Sequence, residues 1–159
     1  MTDTTEEEIL FPDVDLEFDG QPVKVSEYCF VDGMKAARLA APLLASMADL
    51  FALAEDDVEL VSLQLLGDMF GQHPEAVVDL IALATGEDKA WIKKLSDADG
   101  QMLLQTWWRV NSAFFTRRLV TNMVAKRQVE EARVARAAEE EKQEKLKQDA
   151  LDLAKSAHV

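Results

Sequence analysis

The chain has 159 residues, 48% hydrophobic and 30% charged, with a formal net charge of −13. That length suits one domain with an appendage, and the composition is that of a soluble globular protein. The excess of carboxylates argues against classes that work by placing Lys and Arg on phosphate, namely nucleic-acid binders and proteins held on anionic membranes. One cysteine, Cys29, allows no intrachain disulfide and fits a reducing compartment.

In chain order, the first stretch carries Asp3, Glu6, Glu7 and Glu8. It has no basic segment, so it is not read as a signal peptide, and residues 1–13 are expected to be a disordered acidic N-terminus. Val14-Asp15-Leu16-Glu17-Phe18 and Gln21-Pro22-Val23-Lys24-Val25 alternate around Asp19-Gly20. Asp-Gly between two alternating runs predicts a hairpin on a type I′ turn, which needs φ > 0 at both central residues. A two-residue loop pairs Phe18 with Gln21, Leu16 with Val23 and Val14 with Val25, so the apolar pairs share one face. Pro22 then lies opposite Glu17 in a non-hydrogen-bonded pair, where its missing N–H costs nothing. A lone hairpin is marginal in water, so its apolar face must lean on helices.

Ser26 is the expected N-cap of a helix running to Leu53, interrupted at Gly33 and kinked or split at Pro42. Cys29, between Tyr28 and Phe30, is expected to be a small buried hydrophobe. Leu39 to Ala54 is too short and too broken for a membrane span. Glu55-Asp56-Asp57 reads as a loop and cap before a helix from Val58 to Phe70, stopped by Gly71. Pro74 opens a further helix that ends near Thr85 at Gly86, with His73 as its cap. A short helix over Lys89–Leu95 holds Trp91, Ile92 and Leu95. Ser96 to Gly100 then supplies caps for the central helix of the chain.

That helix runs without Pro or Gly from Gln101 to Met123. At helical spacing Leu104, Trp108, Asn111, Phe115 and Leu119 share one side, and Leu103, Trp107, Val110 and Phe114 lie beside them. So wide an apolar surface predicts a core helix buried on most of its circumference, part of which could be a groove for a partner helix. Asn111 stands out as an amide among aromatic rings. Buried, it must be hydrogen-bonded, either to a loop carbonyl or to a partner segment. Arg117-Arg118 is a compact basic pair in the acidic domain, and pairing with local carboxylates is its ordinary explanation.

From Lys126 onward there is no aromatic residue, Pro or Gly, and basic residues equal acidic ones. The whole negative charge therefore lies in residues 1–125. A long solvated helix is expected over 126–159, supported by i,i+4 pairs Lys126–Glu130, Arg127–Glu131 and Glu141–Lys145. Val129, Val134, Leu146, Leu151 and Leu153 do not keep a 3.5 period, which disfavours a regular coiled coil. The fold class is thus mainly α: an N-terminal β-hairpin on a compact helical domain (14–125), followed by the charged helix.

No catalytic, cofactor or metal site is expected. His73 and His158 are far apart, with one Cys for company. The six glycines are isolated, so no phosphate loop forms. Asp97 and Asp99 read as caps, and Asp56-Asp57 with Glu59 lacks the Gly and terminal Glu of a calcium loop.

Val25 to Gly33 after the hairpin, Asp97-Ala98-Asp99-Gly100, and Trp107-Trp108-Arg109-Val110-Asn111 with Phe114-Phe115 together resemble the tail assembly chaperones of long-tailed bacteriophages and prophages. The likeness covers about Val14 to Arg118 and leaves out the chain after Met123. It implies a non-enzymatic helical protein of the host bacterial cytoplasm. Such a protein binds the tape-measure protein, or other tail proteins, and keeps it soluble for tail assembly. Trp107, Trp108, Asn111, Phe114, Phe115 and Arg118 are the partner-binding candidates, with Met47, Phe51, Met69, Phe70 and Met102 as adaptable groove residues. The alternatives are a structural adaptor retained in the virion and an acidic DNA-mimic inhibitor. Self-association into a homo-oligomer stays open.

Overall fold

The computed structural model describes residues 13–53 and 63–158. The expected acidic N-terminus, the Glu55–Asp57 loop, the Asp56-Asp57-Glu59 carboxylates and the predicted helix start at Val58 lie outside them. The order is β1 (Val14–Phe18), β2 (Gln21–Val25), α1 (Phe30–Leu39), α2 (Ala41–Leu53), α3 (Leu63–Gln72), α4 (Pro74–Thr85), α5 (Lys89–Lys93) and α6 (Asp97–Ser156). The fold is mainly α with a two-stranded antiparallel hairpin. Two compact units divide the chain, residues 1–119 and 120–159.

The hairpin has the register that its turn dictates: Val14 pairs with Val25, Leu16 with Val23, Glu17 with Pro22 and Phe18 with Gln21. Asp19 (φ 50°) and Gly20 (φ 80°) both lie in the left-handed region, as a type I′ turn requires. Phe18, Val23 and Val25 are buried on one face. Phe18 meets Trp91 of α5 edge-on at 6.0 Å, and Gln21 Nε2 donates to Glu87 Oε2 at 2.9 Å.

Ser26 does not cap a helix. Its N–H donates to the Ala84 carbonyl at 3.1 Å, and its own carbonyl accepts from Asn111 Nδ2 at 3.2 Å. The Tyr28 N–H goes to Asn111 Oδ1 at 3.2 Å. With that backbone committed to distant partners, helix formation waits until Phe30, after an extended Cys29. Cys29 is exposed rather than buried, and its thiol donates to Asp32 at 3.4 Å. Gly33 does not interrupt α1. It lies on the buried face with Ala36, and a Cβ there would sit 3.5 Å from the Phe114 ring. Small residues thus bring α1 close to α6.

The helix does split near Pro42, at Ala40, between α1 and α2. Proline has no N–H to give the Arg38 carbonyl, so the chain closes one helix and opens the next. Gly71 falls inside the last turn of α3, and α5 ends at Lys93 rather than Leu95. Pro74 is in the first turn of α4, and Gly86 (φ 74°) ends that helix in the left-handed conformation that glycine adopts without a Cβ penalty. Lys93 Nζ reaches Glu75 Oε2 at 2.7 Å and ties α5 to α4.

The core gathers on α6. Ser96 Oγ accepts from Asp99 N–H at 3.2 Å and donates to Asp99 Oδ2 at 2.7 Å, a reciprocal cap at its start. Leu103, Trp107, Val110, Phe114, Phe115 and Leu119 are buried, as are Leu43 and Met47 of α2, Met69 and Phe70 of α3, and Leu80 of α4. In the second unit, residues 120–156 are helical and exposed apart from a half-buried Met123. The expected i,i+4 ion pairs do not form among the described residues. Glu130 pairs instead with Arg133 at 2.9 Å, one residue nearer.

Candidate interaction cleft

The aromatic stretch of α6 divides between two jobs. Trp107 and Phe115 are fully buried, and Phe114 nearly so. Trp107 packs edge-on against Phe70 (5.8 Å) and Phe115 (5.4 Å), and its indole N–H donates to Tyr28 Oη at 2.8 Å. Tyr28 Oη donates in turn to the Leu80 carbonyl at 2.8 Å. Burial raises the Tyr28 phenol well above its ordinary value, and the Trp107 bond offsets only part of that. Asn111 is fully buried. Besides its bonds to Ser26 and Tyr28 it donates to the Trp107 carbonyl at 3.3 Å. Its amide is spent on holding the hairpin-to-α1 link, with nothing left to orient a partner.

Trp107, Asn111, Phe114 and Phe115 are therefore core residues and not a binding surface. Arg118 is exposed, with its guanidinium 5.5 Å from the centroid of the Phe114 ring, a cation–π arrangement. Arg117 reaches Glu27 at 3.4 Å, the ordinary explanation for that basic pair.

Trp108 is different. It is half-buried and sits 5.3 Å from Phe70 and 5.5 Å from Phe115, ring to ring. Its outer side lines an open cleft of about 450 Å³ between α3 and α6. Leu66, Phe70, Leu104 and Trp108 make an apolar floor. Gln101, Gln105, Arg109 and Ser112 give a polar rim along α6. Gly67 opens the α3 side, with no atom within 4 Å of where a Cβ would stand. The volume lies within the ~300–1,000 Å³ usual for ligand sites, and an apolar floor with a few polar groups is their usual lining.

Of the groove residues expected from sequence, only Phe70 lines this cleft. Met47 and Met69 are buried, Met102 is exposed elsewhere on α6, and the Phe51 side chain lies outside the described residues. Leu66, Leu104 and Arg109 were not singled out as partner contacts. For Leu104 and Arg109 the signal is the spacing Gln101, Leu104, Gln105, Trp108, Arg109, Ser112, a mixed stripe next to the fully apolar one.

His73 does not cap α4 with its side chain. Its Nε2 and Ser46 Oγ share a hydrogen bond of 2.9 Å. Hydroxyl beside imidazole is the start of a nucleophile–base pair, but among the described residues no carboxylate bonds the other ring nitrogen to orient it. The bond is best understood as a strut from α2 to the turn before α4. Among the described residues no group of three or more His, Cys, Asp or Glu could hold a metal ion. None of the described helices is long and apolar enough to cross a membrane.

No curated protein and no solved structure matches the chain. One family model does, over residues 6–150, so the match takes in the hairpin, the cleft and most of the charged helix. The chain belongs to DUF6631, a family of unknown function.

Proposed function

We propose that the protein is a tail assembly chaperone that holds an apolar helix of a tape-measure protein in the α3–α6 cleft. The observation that carries this reading is the half-buried Trp108 over an open floor of Leu66, Phe70 and Leu104. An amphipathic helix laid in such a groove buries its apolar ridge, and the glutamines and Arg109 at the rim meet its polar flanks. The resemblance over Val14 to Arg118 supplies the identity of the client. The net charge of −13 keeps a coated, aggregation-prone client in solution. Weak individual contacts suffice where several copies line one client, through avidity.

The test is co-expression with the tape-measure protein of the same genome, followed by pull-down. The client should become soluble and stay bound from about 0.1 M to about 1 M salt, where the screening length falls from ~10 Å to ~3 Å and exposed charge pairs lose their hold. Gly67→Phe should abolish retention by filling the mouth of the cleft without disturbing the core. A client equally insoluble with and without this chain, or retained equally by Gly67→Phe, overturns the proposal. Retention only at low salt would point to an electrostatic adaptor.

A further inference from the structure

The exposed helix of the second unit carries apolar residues that nothing in its own unit covers. Val120, Val124, Leu146 and Leu153 are 54%, 49%, 60% and 76% exposed. They do not follow a heptad, but they fall in two eleven-residue series whose other positions are charged or alanine. Positions 120, 131, 142 and 153 form one series, and 124, 135, 146 and 157 the next. Eleven residues are about three turns at ~3.67 residues each, so these positions stay on one face of a nearly straight helix.

Along that face the ends are apolar, the centre is Ala135 and Ala138, and the intervening positions are charged. The order of charges is Arg127, Glu131, then Lys142, Asp149. None of these four is in an ion pair within the chain among the described residues. The face is complementary to itself when turned end over end. In one register Val120 lies against the partner's Leu153, Glu131 against the partner's Lys142, and Ala135 against the partner's Ala138. Arg127 then lies opposite the partner's Leu146, and Val124 opposite the partner's Asp149, so that Arg127 and the partner's Asp149 are one turn apart. The alanines let the two backbones approach at the centre.

We propose that this face is an antiparallel pairing surface for a second copy of the chain. The twofold register makes every contact twice, as an isologous interface does. A parallel pair would set Arg127 on Arg127, Glu131 on Glu131 and Lys142 on Lys142. It would also join two strongly acidic units at the same end. In the antiparallel pair, Val120 of the two copies is separated by about 50 Å at ~1.5 Å of rise per residue. That is several times the ~8 Å screening length of physiological salt, so charges beside one copy's Val120 are screened from those beside the other's. Apolar contact is sparse, so the dimer is weak and concentration-dependent.

The full chain is tested by sedimentation equilibrium from about 1 to about 200 µM, a span that brackets micromolar affinity. A reversible monomer–dimer equilibrium is expected. Glu131→Lys should weaken it about tenfold, since two symmetry-related attractions become repulsions. Adding Lys142→Glu should restore it, with helical content unchanged throughout. In a Cys29→Ser background, Val120→Cys with Leu153→Cys should give covalent dimers with a short thiol crosslinker, and Val120→Cys alone should not. A monomer across the whole range, a dimer indifferent to Glu131→Lys, or crosslinking by Val120→Cys alone would each overturn the proposal.

Discussion

Tyr28, Trp107 and Asn111 bind three distant stretches of chain through hydrogen bonds made inside an apolar core. Each has its partners, which is why the polar atoms are tolerated there. Asn111→Leu keeps the volume but leaves the Ser26 carbonyl and the Tyr28 N–H without a partner. It should cost about 1–3 kcal/mol in denaturant unfolding. Trp107→Ala should cost about 3–5 kcal/mol, and Trp108→Ala clearly less, because Trp108 already has one side in the cleft. Equal losses from the two would show that Trp108 is as enclosed as its neighbour.

Tyr28 is the only tyrosine, so its titration can be followed by absorbance without interference. Its folded phenol is raised above the ordinary 10.0 by burial. The fold therefore favours the neutral form, and the stability linked to it is complete below the unfolded value and declines as pH rises past it. The decline should reach up to about 1.4 kcal/mol per pH unit above pH ~10. Tyr28→Phe should remove that component of the pH dependence. If phenolate instead appears near pH 10 in the folded protein, the hydroxyl is solvated and not held between Trp107 and Leu80.

At the level of elements, local chemistry and tertiary demand meet between β2 and α1. The hairpin obeys its turn: Asp19 and Gly20 set a twist that makes the register unavoidable. Gly20→Ala forces a Cβ into a φ of 80° and should cost about 1–2 kcal/mol, read as a lower unfolding midpoint. Beyond Val25 the local signal of Ser26 and Glu27 favours a helix start. The backbone bonds to Ala84 and Asn111 hold those residues out of the helix instead, and they pin the hairpin onto the helices. The cleft is also a product of elements. Its floor comes from α3 and α6, and neither helix alone encloses it.

For the molecule as a whole, the two units behave differently because only the first has a core. Truncation after Met123 should leave cooperative unfolding with a midpoint close to that of the full chain, since the described residues after Met123 are exposed. The same truncation should abolish the dimer. Loss of cooperativity on truncation would mean that the charged helix takes part in the core.

Elements whose geometry is local were legible in the amino-acid order. Strand alternation with Asp-Gly specified the hairpin and its register. Pro42, Pro74 and Gly86 placed helix boundaries through a missing N–H or a left-handed φ. Composition separated an acidic core domain from a neutral charged helix. Which part of a wide apolar surface is covered depends on long-range packing. Trp107 and Trp108 are neighbours of one residue type, yet one is sealed and the other faces a cleft. Cys29, read as buried, is exposed, and His73 stands at the N-cap as read, but its side chain bonds Ser46. The physical reason is reach. Dihedral preference and i,i+4 bonding act within a turn or two, whereas Asn111 is satisfied by residues 83 and 85 positions away. Which side of a helix is dry depends on what folds against it, and no local pattern carries that information.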